Sequence, residues 1–436
     1  MKTERFLIAA AGALALLLCL PGGVDAAGRV IPDSYIVTVA ADVSPSDVAA
    51  RHGVIHAFEY EKVIRGFAAF IPLQALEHVL ADMDVEMVIE DREVEAIGKP
   101  TGGGTVPAQV VPAGVQRIGA TGQAFTGEGV GVAVVDTGID LASADLALGA
   151  VSYSAVSTSA KDDNGHGTHV AGIIAARDNT VGVVGVAPRA TVYAVKVLNR
   201  SGSGTDSSVL AGLDWVAGNA ASAAPAIRVV NMSLGRPGTL DDNPAYRQAV
   251  QRLVELGVTV VVAAGNDPSK EVSQMVPATY PEVMAVASTT ARAGKSALAG
   301  FAGIGADTAS YFTTDGALVP SPDGLGSIGV TISAPGEDQE DVSKTGAISS
   351  VGILSLKPGG GTARMSGTSM AAPHVAGVVA ILLQQASGAI MPSDIRRKIM
   401  AGASNTSAPY ASPTAGYTFD GDLEGIADVV GALNAQ

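Results

Sequence analysis

Three short stretches of the chain carry side chains able to do covalent chemistry together. Val134-Val-Asp-Thr-Gly-Ile-Asp140 presents Asp136, and Asn164-Gly-His-Gly-Thr-His-Val-Ala-Gly172 presents His166. Ser366-Gly-Thr-Ser-Met-Ala-Ala-Pro-His-Val-Ala-Gly377 presents Ser369. A serine hydroxyl is a weak nucleophile: it needs an adjacent base, which needs a carboxylate to orient it. Singly, Asp136 also reads as a turn residue, His166 as a capping histidine and Ser369 as a helix cap. Together they supply nucleophile, base and orienting acid for acyl transfer. The order Asp, His, Ser sets the chain apart from hydrolases that run Ser, Asp, His around a G-x-S-x-G elbow. Gly367-Thr-Ser-Met-Ala371 lacks the final glycine, and His374 follows Ser369 too closely to serve as the late histidine.

The elements that must position these groups alternate between strand and helix. Gly131–Val135, Val192–Leu198, Arg228–Leu234 and Val258–Ala264 are apolar runs suited to a parallel sheet covered on both faces. Helical patterns over 168–176, 207–220 and 245–256 fall between them, so a doubly wound α/β fold is expected, with its site at the carboxyl ends of the strands. Asp136 stands at such an end. Ser369 opens an apolar helix to about Gln384, with Pro373 in its early turns.

Lys and Arg number 27 against 42 Asp and Glu, a net charge of −15, which argues against a nucleic-acid partner. The first 26 residues read as a secretory signal, with Lys2 and Arg5 before an apolar run and Val24-Asp25-Ala26 as a cut site. The run is too short for a confident membrane span, so none is expected in the mature form. Cys19, the sole cysteine, leaves with the signal, and a lipoprotein reading is disfavoured by Leu18 before it. Residues 34–96 read as a separate β-α-β-β-α-β module, ferredoxin-like, with strands at 35–39, 54–60, 64–71 and 85–90. The Gly-rich tract within 97–107 reads as a flexible linker or processing region, and 108–436 as the main domain.

Three long motifs in this order make the chain resemble the subtilisin-like serine proteases, the subtilase family, over about residues 34–436. The resemblance implies a secreted, self-processing serine endopeptidase acting on protein or peptide substrates through an acyl-enzyme. It gives Asp136 the orienting role, His166 that of general base then acid, and Ser369 that of nucleophile. Asn266, at the end of Val260-Val-Val-Ala-Ala-Gly-Asn-Asp267, matches the side-chain oxyanion donor. Ser203, Gly204 and Thr205 match one substrate-binding edge and Ser233, Leu234 and Gly235 the other. The latter three with Ala263, Ala264 and Gly265 would line an uncharged first pocket, while Asp206 beside the outer edge suggests a mild preference for basic substrate residues.

His166-Gly-Thr-His169 lacks the glutamate of a zinc protease motif. A structural calcium ion (Ca2+) is implied instead. Its ligands would be side-chain oxygens of Gln109, Asp145 and Asn179 and the carbonyls of Arg177, Val181 and Val183. The 34–96 module resembles the family's inhibitory propeptide, released by a cut near Ile97 or anywhere up to about Pro107. A monomer is expected. Residues 291–331 read as a surface insertion and 344–364 as one extended hairpin with its tip at Lys357–Gly361.

Overall fold

The computed structural model describes residues 28–104, 108–405 and 424–436. The export-signal reading of residues 1–26, with Cys19, and the end of the 97–107 tract lie outside the described residues.

The amino-terminal module comprises β1 (Val30–Val39), α1 (Pro45–Arg51), β2 (His56–Tyr60), β3 (Gly66–Phe70), α2 (Leu73–Ala81) and β4 (Val85–Ala96). Its strands pair antiparallel in the order β4-β1-β3-β2. Ser44 caps α1 by accepting from the Asp47 N–H, with Pro45 at the first helical position. Strand alternation divides the apolar residues between two faces. Val37, Val39, Phe67 and Ala69 pack under the helices with Val48 and Val79, while Ile36, Ala68 and Ile89 join the core of the larger body. β4 runs on to Ala96, past the expected end at Glu90, because edges of that larger body hold its last residues.

β5 (Lys99–Gly104) follows. The tract expected to be an unstructured linker is thus partly a strand. Next come α3 (Ala113–Arg117), β6 (Gly131–Asp136), β7 (Tyr153–Ser154), α4 (His166–Ala175), β8 (Thr191–Lys196), β9 (Ser203–Thr205) and α5 (Asp206–Asn219). They lead to β10 (Ile227–Met232), β11 (Leu234–Pro237), α6 (Pro244–Glu255), β12 (Thr259–Ala263), β13 (Met275–Val276) and β14 (Met284–Thr290). β15 (Val319–Pro320), β16 (Ser327–Ile328), β17 (Ile332–Glu337), β18 (Glu340–Val342) and β19 (Ile348–Ser350) come after. The chain closes with β20 (Ile353–Leu356), β21 (Thr362–Ser366), α7 (Thr368–Gln385), α8 (Pro392–Ala401) and α9 (Val429–Asn434).

The central sheet has seven parallel strands in the order β17-β14-β12-β10-β6-β8-β7. Its inner strands β6, β10 and β12 carry mostly apolar residues because both faces are covered. Val132, Val134, Val192 and Val261 pack against α4 and α7; Ala133, Val135, Val195 and Val260 pack against α5 and α6. The fold is therefore the doubly wound α/β arrangement expected.

Two expectations need correction. Residues 344–364 are not one hairpin: β18 pairs with β19 and β20 with β21, and Lys357–Gly361 is the tip of the second pair alone. The 291–331 insertion is not wholly superficial either. Ser310 and Thr314 are fully buried, because Ser310 bonds to Ser288 and Thr314 to the chain at Gly265 and Asp267.

Candidate active site

Asp136 ends β6 at the carboxyl edge of the sheet and is fully buried. His166 opens α4 after Gly165, whose φ of +112° favours glycine. The His166 Nδ1 lies 2.9 and 3.0 Å from the two Asp136 carboxylate oxygens. Burial lowers the imidazole pKa, but the charge and hydrogen bond of Asp136, with Asp162 further off, outweigh that and leave it above its usual 6.5. The other imidazoles nearby behave oppositely: burial pushes His169 down to about 3 and His374 down to about 4. Both stay neutral.

Ser369 is the second residue of α7. Pro373 has no N–H, so the Ser369 carbonyl four residues earlier lacks its helical donor. The Ser233 hydroxyl donates to it at 2.9 Å, and the Ser369 hydroxyl donates to the Ser233 carbonyl at 2.9 Å. His166 Nε2 is buried without a hydrogen-bond partner. A Cβ built at Gly98 would stand 2.9 Å from that nitrogen, so the chain crosses directly over it there.

The same crossing meets Asn266. Its Nδ2 donates to the Ile97 carbonyl at 3.2 Å, and its Oδ1 accepts from the Thr368 N–H at 2.9 Å and the Thr368 hydroxyl at 3.1 Å. Thr368 is a residue that sequence reasoning missed; its place beside Ser369 in the motif was the available signal. Gly367 leaves room for the carbonyl: a Cβ there would come 2.6 Å from the Ile97 oxygen.

β4 enters this site as a strand between two edges. Glu93, Val94 and Glu95 face Thr205, Gly204 and Ser203 on β9, while Glu95 and Ala96 face Gly235 and Leu234 on β11. The Ala96 N–H donates to the Gly202 carbonyl at 2.8 Å and the Ile97 N–H to the Ser233 carbonyl at 3.2 Å. All six edge residues named from the sequence are thus brought to one strand. A Cβ at Gly235 would come 2.9 Å from Ile97 Cδ1. Ala263 ends β12 and Ala264 and Gly265 follow it, and a Cβ at Gly265 would collide with Thr314 Oγ1 and Met275 Cε at 2.6 and 3.0 Å. Thr314 and Met275 were not foreseen, because they reach Gly265 from distant loops.

Asp206 does not face substrate. It is fully buried, with Arg236 on both its oxygens at 2.8 to 3.2 Å and the Asn243 amide at 2.9 Å. The expected preference for basic substrate residues at Asp206 is therefore withdrawn.

The six residues read as calcium ligands also come together. The Gln109 amide nitrogen lies 2.7, 3.2, 3.3 and 3.4 Å from the Arg177 carbonyl, Asn179 Oδ1 and the Val181 and Val183 carbonyls. Oxygen and nitrogen of such an amide exchange by a half-turn. Asn179 Nδ2 holds Asp145 Oδ1 at 2.6 Å, whereas Asp145 Oδ2 is buried without a hydrogen-bond partner and burial raises that carboxyl's pKa. Among the described residues no group of three or more His, Cys, Asp or Glu is placed to hold a metal ion. Carbonyls, amides and an orphan carboxylate oxygen do fit a hard cation. No helix among the described residues is long and apolar enough to cross a membrane.

Comparison with known proteins agrees with this geometry. The profile of the subtilase family matches residues 127–418. M-protease of Shouchella clausii (strain KSM-K16) is 36% identical over 335 residues, covering 76% of this chain and 72% of that protein. Subtilisin Savinase of Lederbergia lenta is 39% identical over 281 residues, covering 64% of this chain and 86% of that protein. In structure, fervidolysin from Fervidobacterium pennivorans, a keratinolytic enzyme related to subtilisin, superposes with a TM-score of 0.68 at 25% identity. That match covers 94% of this chain, which spans 62% of the fervidolysin chain. The chain belongs to the subtilase family and is a subtilisin-type serine endopeptidase.

Proposed function

We propose that the chain is a secreted endopeptidase that processes itself, and that its first substrate is its own Ile97–Gly98 bond. The observation that carries this is the Ile97 carbonyl under the Asn266 amide, with the preceding residues strung between β9 and β11. In this reading Asp136 fixes the imidazole with Nε2 facing the substrate. The Ser369 hydroxyl turns from the Ser233 carbonyl toward Nε2, gives up its proton and attacks the Ile97 carbonyl carbon. Asn266 Nδ2 and the Ser369 N–H, one of the first-turn amides without a helical acceptor, receive the negative charge on the oxygen. His166 then protonates the departing Gly98 amine, and water, deprotonated by the same imidazole, hydrolyses the acyl-enzyme.

Residues 1–26 serve as export signal, 34–96 as intramolecular inhibitor, 97–107 as processing region and 108–436 as catalytic domain. The mature enzyme works outside the cell or in its envelope as a monomer on protein substrates. Calcium, when bound by Gln109, Asp145, Asn179 and the carbonyls of Arg177, Val181 and Val183, supplies positive charge that ties the segment before α3 to the loop after α4. The first pocket, with Ile97 against Gly235, suits aliphatic side chains.

Mass spectrometry of the purified protein tests the reading. A mature chain beginning at Gly98, with Ser369→Ala remaining uncut at this bond, is expected. Normal maturation of Ser369→Ala would assign the cut to another protease.

A further inference from the structure

Asp162, in the loop before α4, is a buried carboxylate to which the proposed steps give no task. Its Oδ1 accepts from the Thr137 hydroxyl at 2.9 Å and from the Asn164 and Gly165 N–H groups at 3.0 and 2.8 Å. Its Oδ2 accepts from the Thr168 N–H at 2.9 Å and the Thr168 hydroxyl at 2.5 Å. These donors converge on one side chain, which can neither turn nor leave without stranding buried polar groups. The Asp162 main chain is fixed too, its N–H donating to the Ile139 carbonyl at 3.0 Å.

The donors belong to the two segments that must meet for His166 to be oriented. Thr137 follows Asp136 directly at the end of β6, whereas Gly165 and Thr168 flank His166 at the start of α4. The Thr137 hydroxyl passes the link on, accepting from the Gly167 N–H at 2.9 Å. A Cβ at Gly167 would stand 2.1 Å from the Gly138 carbonyl oxygen and 3.1 Å from Asp136 Oδ1, so the helix start lies flush against the Asp136 turn. Asp162 thus ties strand end to helix start at the contact where His166 Nδ1 meets Asp136. Asp136 and Asp162 are the acids whose charge the imidazole feels. Lys196 on β8 donates to the Thr137 carbonyl at 2.6 Å and to Asp163 at 2.7 Å, and His169 and His374 are neutral.

We propose that Asp162 is a positioning residue of the reaction. Through Thr137 and the first turn of α4 it fixes His166 against Asp136, and its charge favours the imidazolium that forms when Ser369 gives up its proton. The proposal rests on the reading of Asp136, His166 and Ser369 as the reacting groups. A slightly displaced base slows turnover and leaves substrate binding as it was.

Asp162→Asn, Thr137→Val and Thr137→Ser test it, each made as the full chain and matured. Sites are counted with a fluorophosphonate, so that kcat refers to labelled sites and any unfolded fraction drops out. The substrate is a peptide carrying Glu-Val-Glu-Ala-Ile-Gly-Lys, the chain's own residues around the proposed cut. Asp162→Asn should lower kcat about tenfold at unchanged KM. It should also move the acid midpoint of kcat/KM down by about 0.5–1 pH unit. Thr137→Val should lower kcat with the midpoint in place, and Thr137→Ser, which keeps the hydroxyl, should restore it. A capping role alone would lower the melting temperature and move neither kcat per site nor the midpoint. That result, or full kcat in Thr137→Val, would overturn the proposal. If Asp162→Asn does not fold, the comparison of Thr137→Val with Thr137→Ser decides by itself. Turnover retained in His166→Ala would remove the underlying reading, and this proposal with it.

Discussion

Ser233 and Ser369 exchange two hydrogen bonds, each hydroxyl donating to the other's carbonyl at 2.9 Å. One bond compensates for Pro373, whose missing N–H leaves the Ser369 carbonyl without a helical donor. The other parks the Ser369 hydroxyl on the strand that also receives Ile97. Ser233→Ala should leave a buried carbonyl unpaired, at a cost of about 1–3 kcal/mol. A lowered denaturation midpoint together with a lowered kcat is expected. An unchanged midpoint would mean that water replaces the hydroxyl.

Asn266 is held by Thr368 through its oxygen so that its nitrogen faces the Ile97 carbonyl. Asn266→Ala should lower kcat by ~10²–10³ with little change in KM, because the donor acts on charge that forms only during reaction. Thr368→Val, which keeps the shape but removes the hydroxyl, should have a smaller effect in the same direction. Steady-state kinetics on one peptide check both.

Calcium should raise the melting temperature of the mature protein. Binding to the folded form at a hundred times Kd stabilises by about 2.7 kcal/mol. Chelation should lower Tm by several degrees, and Asp145→Asn should abolish the dependence on calcium. Thermal scans with and without chelator decide it.

The acid limb of kcat/KM should follow His166. Its pKa is raised, so the imidazole becomes protonated, and useless as a base, already above pH 6.5. In the proposed mature form, without the residues up to Ile97, burial relaxes; burial was the lowering influence, so the shift keeps its direction. His169 and His374 are neutral throughout this range and add nothing to the limb. Activity should fall as pH drops through a midpoint above 6.5. Asp136→Asn should move the midpoint lower in whatever activity remains. A pH–rate profile with a wild-type midpoint below 6.5 would contradict the assignment.

The residues brought together at the site were legible because each sits at a sequence position with a local cause: a strand end for Asp136, a glycine-flanked helix start for His166, and a Pro-containing apolar helix for Ser369. The sheet was legible from its unbroken apolar runs. Features that depend on a distant partner were not. β5 has few side chains to betray it, since its pairing comes from the edge of β21. Asp206 looked like a rim charge because Arg236, which buries it, comes thirty residues later. Thr314 looked superficial because its burial is compensated by backbone partners at Gly265 and Asp267.

β4 belongs at once to the amino-terminal sheet and to the candidate site, so one continuous sheet joins the amino-terminal module to the larger body. Its departure would leave two raw strand borders facing water. Such borders invite other chains to stack on them, and long ones are a hazard for self-association. Here they measure only three residues in β9 and four in β11. Their brevity allows the cleft to stay receptive to a passing chain without gluing one molecule of the enzyme to the next.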